Sequence, residues 1–303
     1  QLGHLPELDK AVKFSSYALH EQKRYRSERY ARDQAYWISK FDGDIPEAVD
    51  LASKYPDPGQ RTFKSAVDAY MLSASETEAV EKLAANGNTT LTILLRTLFE
   101  VFIYKQTGQK DFVIGLPATD HLSVSGYTLI GHTINMLPVR TLVSSGQSFR
   151  SFLERRRAEM LSDFDHQKVT FGSVLKKVKF NRAAKNKFIS VSFGSQFEKV
   201  DKNFSFIDIE HETAVITEER SSLEFYIDTY KRDGLIYFQI YYQSDLFDAT
   251  DIRSLMNSFR NVINQVTANP GLRISNISLA NRESLFTRSL ASNGEQILEK
   301  TII

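Results

Sequence analysis

The sequence predicts an α/β fold in which a mixed sheet carries helices packed mainly on one face. Three observations lead there. From residue 63 to about residue 165, strand-like and helix-like segments alternate along the chain. After that come strands rich in Tyr and Phe, two of them joined by a tight "KRDG" turn. A single amphipathic stretch, "DATDIRSLMNSFRNVINQVTANPG", closes the series.

Taken in order, residues 10–41 read as one helical stretch. Phe14, Tyr17 and Ala18 share a face, and Trp37 and Phe41 sit four apart at its far end. Between them "EQKRYRSERYARD" carries five Arg and Lys with Glu21, Glu28 and Asp33 interleaved. That pattern reads first as a solvated surface helix, and alternatively as a basic surface for an acidic partner. Pro46, Pro56, Pro58 and Gly59 mark a loop after it. "FKSAVDAYML" alternates as a strand does. In "SASETEAVEKLAANG" Ser75 and Glu78 form the expected capping box, and Gly87 the stop. "TTLTILLRTLFEVFIYKQTG" is apolar nearly all round, a buried helix capped by Thr89 or Thr90 and ended by Gly108. "DFVIGLPA" is a short apolar strand, and "LIGHTINMLPVR" is a second, unusual in holding Asn135 and Pro138. "SFRSFLERRRAEMLSDF" places Phe149, Phe152, Leu153, Met160 and Phe164 along one side. "KFISVSFGS", "SLEFYIDTY" and "GLIYFQIYYQS" are the later strands. The last helix puts Ile252, Leu255, Met256, Phe259, Val262, Ile263 and Val266 on one stripe and stops at Asn269-Pro270-Gly271.

Composition narrows the function. Hydrophobic residues make up 42% of the 303, charged residues 25%, and the net charge is +1, a globular balance without the basicity of a nucleic-acid binder. No run approaches the roughly 20 apolar residues of a membrane span, and the start resembles no signal peptide. With no initial Met, the expectation is a cytoplasmic piece of a longer chain. The absence of cysteine rules out disulfides, thiolate catalysis and cysteine metal sites. The six His (4, 20, 121, 132, 166 and 211) form no H-x-x-x-H or H-E-x-x-H pair, so no metal is expected. Neither a phosphate-binding Gly loop nor a G-x-S-x-G elbow occurs. From the residues alone, the reading stops at a globular α/β domain.

Motif resemblance extends it. "LIGHTINMLPVR" resembles the I-G-x-x-x-N-x-L-x-x-R motif of condensation domains in nonribosomal peptide synthetases. "FSSYAL" is similar to that family's Y-x-D-Y-A motif, with Ser16 where Asp is usual, and "YWISKFDGDIPEAVDL" to its Y-W segment. "HQKVTFGSVL" resembles H-Q-D-x-P-F-E-x-L, departing at Lys168, Thr170 and Gly172. "NRAAKNKFISVSF" loosely resembles the stretch ending in R-N-P-L-F, and "IYYQSDLFDATDI" is close to E-Y-N-T-D-L-F-D-x-x-T-I. These matches are collinear from about residue 14 to residue 268.

The resemblance implies a chloramphenicol-acetyltransferase-like lobe, one of two that form a V around a tunnel. The family's catalytic H-H-x-x-x-D-G motif has no counterpart here, so the expected catalytic residues of this fragment are none. Residues 1–62 would be a lead-in helix and loop from the N-terminal lobe, 63–280 the C-terminal lobe, and 281–303 the start of a linker towards an adenylation domain. In the whole protein such a domain joins carrier-bound acyl and aminoacyl thioesters by amide formation; the fragment alone would be inactive. A non-catalytic docking platform for carrier proteins, or the lobe of a related acyltransferase, cyclisation or epimerisation domain, stays open. The resemblance makes Asn135, Arg140 and His132 candidates for the tunnel or substrate side, and Tyr17, His166, Gln167, Phe171, Asp245 and Phe247 structural motif residues. No cofactor would be bound directly; phosphopantetheine arms would arrive on peptidyl carrier domains upstream and downstream. The remaining partners would be the N-terminal catalytic lobe and an adenylation domain, with neither nucleic acid nor membrane. The apolar side chains between residues 195 and 222 are expected to cross to the other lobe, and in the fragment to be mobile or to pair two copies as a homodimer.

Overall fold

A computed structural model describes residues 12–43, 45–51, 62–119, 129, 131–178, 188–197 and 219–280. Helices α1 (Phe14–Arg24) and α2 (Glu28–Ser39) come first, then β1 (Ser65–Met71), α3 (Ala74–Asn86), α4 (Leu91–Thr107), β2 (Asp111–Thr119) and β3 (Ile134–Leu142). They are followed by α5 (Phe149–Asp165), α6 (Phe171–Leu175), β4 (Val191–Gln196), β5 (Phe225–Arg232), β6 (Leu235–Gln243) and α7 (Ala249–Ala268). The strands form one six-stranded sheet in the order β1-β6-β5-β4-β2-β3. It is mixed: β4 runs parallel to both β2 and β5, and the other neighbours are antiparallel. None of the described helices is long and apolar enough to cross a membrane.

Alternation along the strands sorts the two faces. Phe193, Phe225, Ile227, Ile236, Phe238 and Ile240 are buried and meet α4 and α7 through Phe99 and Phe259. All seven residues of the expected α7 stripe are buried. The β5–β6 hairpin turns at Asp233 and Gly234, both at positive φ (50° and 82°), as a two-residue hairpin turn requires.

Two details differ from the sequence reading. The stretch from residue 10 to 41 is two helices, because Ser27 turns its hydroxyl back onto the Tyr30 amide and starts α2 afresh. The capping box of α3 is Ser73 with Glu76, two residues before the expected pair. Glu76 is favoured there because it also accepts Arg260 Nη2 (2.5 Å) and Asn264 Nδ2 (3.0 Å) from α7, whereas Glu78 faces solvent beside Lys82. The α4 cap falls on Thr90. The expected crossing stretch lies largely outside the described residues, at 198–218.

Helix α4 carries a buried ion cluster at its centre. Arg96 and Glu100, on α4, and Arg156, on α5, are all 0% exposed. Arg156 makes two hydrogen bonds to Glu100, at 2.8 and 2.9 Å, and Arg96 Nε lies 3.3 Å from the same carboxylate. Burial lowers the Arg96 pKa to about 10. Burial also works against the charge of Glu100, but the two guanidiniums outweigh it and hold the carboxyl below its usual range. Arg96 then donates to the Ile114 and Gly115 carbonyls of β2 (3.0 and 3.2 Å) and reaches the Phe193 carbonyl of β4 at 3.5 Å. Between those strands only Gly115 and Ser192 are matched in register. The guanidinium thus serves carbonyls at the junction where the ladder is shortest.

Removing the anion leaves two buried cations without their shared partner. Glu100→Ala should therefore cost about 3–5 kcal/mol, read as a lower urea midpoint with an unchanged slope. A loss below ~1 kcal/mol would mean that the cluster contributes no more than a surface pair.

Candidate functional site

The segment "LIGHTINMLPVR" lies at and within β3, one of the two edge strands of the sheet. Edge position explains Pro138: a residue without an N–H is tolerated where only one neighbour has to be served. Gly131 just before the strand is needed for space. A Cβ there would lie 2.3 Å from the Phe14 ring of α1. The motif glycine thus lets α1 come down onto the start of β3.

Asn135 is engaged at both ends of its amide. Its Nδ2 donates to the Gln167 carbonyl (3.0 Å) and the Val169 carbonyl (2.7 Å), and its Oδ1 accepts the Phe171 amide (3.3 Å). One side chain therefore fixes the whole turn from α5 into α6. His166, at the end of α5, directs Nδ1 to the Ser162 carbonyl (2.8 Å) and stacks on Tyr36 at 3.9 Å. Its own carbonyl accepts Trp37 Nε1 at 2.8 Å. Phe171 packs against Phe188, ring to ring at 5.6 Å. Arg140 grips Asp111 through two hydrogen bonds (2.9 and 2.6 Å) and donates to the Lys40 carbonyl (2.8 Å). Lys40 pairs with the buried Asp163, which also accepts the Tyr36 hydroxyl (2.8 Å). Burial raises the Tyr36 pKa well above its ordinary value, so the hydroxyl stays a donor. Asp245 accepts the Thr62 amide and hydroxyl (2.8–2.9 Å), and Phe247 is buried against Phe225.

A cavity of ≈340 Å³ opens beside this assembly, lined among others by Tyr17, Glu21, Arg24, His132, Asn135 and Gln167. It brings together four of the residues the sequence singled out: Tyr17, His132, Asn135 and Gln167. Arg140 lines a separate cavity of ≈590 Å³ with Tyr36, Lys40 and Glu159. Asp245 and Phe247 lie by the β6–α7 turn and line neither. His132 is exposed. Among the described residues no group of His, Asp and Glu could hold a metal ion.

The sequence reading missed Asp228. It sits on the sheet face opposite α4 and α7, between the stacked pairs Tyr226–Tyr241 and Tyr230–Tyr237. Its partner in the β4 register is Gly194, where a Cβ would crowd the Tyr226 hydroxyl at 2.8 Å and Asp228 Oδ1 at 3.1 Å. Burial raises the carboxyl pKa to about 6, although Gln196, the Thr229 amide and Tyr226 all donate to it. An Asp inside an alternating strand gives only a weak signal, since solvated strand faces hold many.

Comparison with known proteins places this geometry. A family model described as Condensation domain matches residues 1–285. Surfactin synthase subunit 1 of Bacillus subtilis (strain 168) is 24% identical over 269 residues, which is 88% of this chain but 7% of that protein. Tyrocidine synthase 3 of Brevibacillus parabrevis is 24% identical over 286 residues, 92% of this chain and 4% of its own length. The chain thus spans a small fraction of these relatives. Among solved structures, a four-domain nonribosomal peptide synthetase bound to AMP and glycine matches with a TM-score of 0.80 at 17% identity, over 91% of this chain and 22% of the other. The X-domain from teicoplanin biosynthesis matches at 0.79 and 19%, over 91% of this chain and 64% of the other. The fold is the chloramphenicol-acetyltransferase-like class that the motifs implied.

Two outcomes follow from the geometry. Asn135→Ala removes three hydrogen bonds and should cost about 1–3 kcal/mol, with faster amide exchange confined to residues near 166–171; unchanged melting and exchange would dismiss the bracing role. Asp228 titrates at about 6 when folded against roughly 3.9 unfolded. The folded state then binds more protons between those values, so stability falls as pH rises from about 4 to about 6. Asp228→Asn should flatten that fall and stabilise the protein at pH 8 by up to about 2–3 kcal/mol. Equal melting of the two proteins at pH 8 would contradict it.

Proposed function

The chain belongs to the condensation-domain family, and from that premise we propose that it is the C-terminal lobe of a nonribosomal peptide synthetase condensation domain. In the whole protein this domain joins carrier-bound acyl and aminoacyl thioesters. The amine nitrogen of one attacks the thioester carbonyl carbon of the other, the carbon–sulfur bond breaks, a thiolate leaves, and the amine's surplus proton passes by way of a base to that thiolate. The observation that carries the reading is the family match over residues 1–285, collinear with the six motif stretches. The relatives named as surfactin and tyrocidine synthases support the same chemistry.

On this reading the chain's own residues position rather than react. No His-His pair occurs in the sequence, so the proton is handled by an H-H-x-x-x-D-G motif on the N-terminal lobe. His132 and Tyr17 flank the channel for an incoming arm. Asn135 acts through the turn it fixes, holding Gln167 at the channel wall, and Arg140 braces β3 against the end of α2. Residues 1–62 lead in from the N-terminal lobe, 63–280 form this lobe, and 281–303 lead towards an adenylation domain. The partners are that lobe, the adenylation domain and two peptidyl carrier domains whose phosphopantetheine arms deliver the thioesters. A cytoplasmic location goes with these partners. One observation favours the second reading, a docking platform without chemistry: the X-domain, solved also in complex with OxyB, shares this fold at a TM-score of 0.79 and 19% identity.

The purified chain, mixed with donor and acceptor carrier proteins loaded as thioesters, should form no peptide above the spontaneous rate, whereas the whole parent should. Product from the chain alone would refute the lobe assignment. A parent that keeps an H-H-x-x-x-D-G motif yet makes no amide would favour the platform.

A further inference from the structure

The sheet face opposite α4 and α7 carries a groove that belongs to neither cavity described above. Along β5, Tyr226, Asp228 and Tyr230 point to that face, alternating with the buried core residues Phe225 and Ile227. The register sets out three rows across the strands. Gly194, Asp228, Gln239 and Ala69 form the middle row, running from β4 through β5 and β6 to β1. The stacked pair Tyr226–Tyr241 stands on one side of it and the stacked pair Tyr230–Tyr237 on the other. Each pair is two residues along the strand from the middle row, so the walls stand about 13 Å apart.

The two ends of the groove differ. At β4, Gly194 leaves room for the Tyr226 hydroxyl and Asp228 to meet; a Cβ there would lie 2.8 Å from that hydroxyl, so this end is closed. At β1 the row ends on Ala69, an exposed residue of an edge strand. Asp228 itself is only 7% exposed. Gln196, the Thr229 amide and the Tyr226 hydroxyl donate to it, and none of the three carries a charge. A buried carboxylate calls for a counter-charge as well as donors. Its pKa, pushed up to about 6 by burial, records the missing counter-charge. Joining β4 to β5 does not require it, because those strands already match in register at six positions. The open end at Ala69 lies two strand spacings, about 10 Å, from the carboxylate.

We propose that this groove is a specificity pocket for a substrate residue whose side chain ends in a primary ammonium. The ammonium pairs with Asp228, the methylene stem lies between the two tyrosine pairs, and the Gln239 amide serves the amide group that follows towards Ala69. Resting on the condensation reading, this gives one of the two thioesters a basic, lysine-like residue. A side chain of the same length ending in a methyl group leaves the carboxylate unpaired and is discriminated against.

The test titrates the purified chain with 5-aminopentanamide and with its uncharged counterpart hexanamide, followed by NMR. The amine should bind about tenfold more tightly, and Asp228→Asn should remove that preference. Ala69→Phe blocks the open end and leaves the carboxylate untouched, so the outcome does not hang on how well the Asn variant folds; it should abolish binding of the amine. Equal affinity for the two amides, or a preference that survives Asp228→Asn, would overturn the role of the carboxylate. Binding indifferent to Ala69→Phe would overturn the groove. In the whole parent enzyme, lysyl- and norleucyl-loaded carrier proteins are compared, and Asp228→Asn should lower the lysyl-over-norleucyl ratio of kcat/KM about tenfold through KM. A parent that forms amide from both with no preference for lysyl would reject the pocket and leave the condensation reading standing. A parent that forms amide from no loaded carrier would reject that reading, and the binding result on the chain would then decide the groove by itself.

Discussion

Everything else in this structure depends on how Arg96 is held. A guanidinium with no exposure is expensive to bury unless its charge and its donors are both used. Glu100 balances its charge while Glu159 shares the charge of Arg156, and carbonyls of β2 and β4 take the donors at the Arg96 Nη atoms. The sheet gains a tie at its least paired junction, and α4 gains a fixed rotation and height over the strands. α5 is drawn in by the same carboxylate. With α4 and α5 set, β3 and the turn after α5 come within reach of each other, and the site can be built.

The site itself is a matter of one edge strand recruiting distant chain. β3 offers one free flank, and its side chains collect what lies beyond it: Asn135 takes the 166–171 turn, and Arg140 takes Asp111 and the end of α2. Trp37, Tyr36 and His166 fill the space between, each with its polar atom used. A cavity wall made this way is rigid where it meets backbone and chemically varied where it meets the open space.

The two faces of the sheet divide the physics. The helical face holds the aromatic core and the ion cluster and supplies stability. The other carries stacked tyrosines around Asp228, a carboxyl buried without a described cation beside it. Such a group weakens the fold as pH rises through its titration range.

The amino-acid sequence by itself determined what depends on neighbours a few positions apart. The α7 stripe, the Asp233-Gly234 hairpin, the Gly87 and Gly108 helix ends and the strand set all follow from short-range periodicity and turn chemistry, and the motif order carried the family. Where two local solutions were equally good, tertiary structure chose. Ser73-x-x-Glu76 and Ser75-x-x-Glu78 both cap a helix on paper, and Arg260 from α7 selects the first. The partners of Asn135 lie 32 to 36 residues away, and no spacing rule reaches that far. Arg96 and Glu100 look, in sequence, like ordinary charges on an apolar helix. That they are buried, and that Arg156 from α5 shares the Glu100 carboxylate while Glu159 meets its own charge, is decided only when the helices and sheet pack, because the cost of a charge depends on what surrounds it and not on what precedes it in the chain.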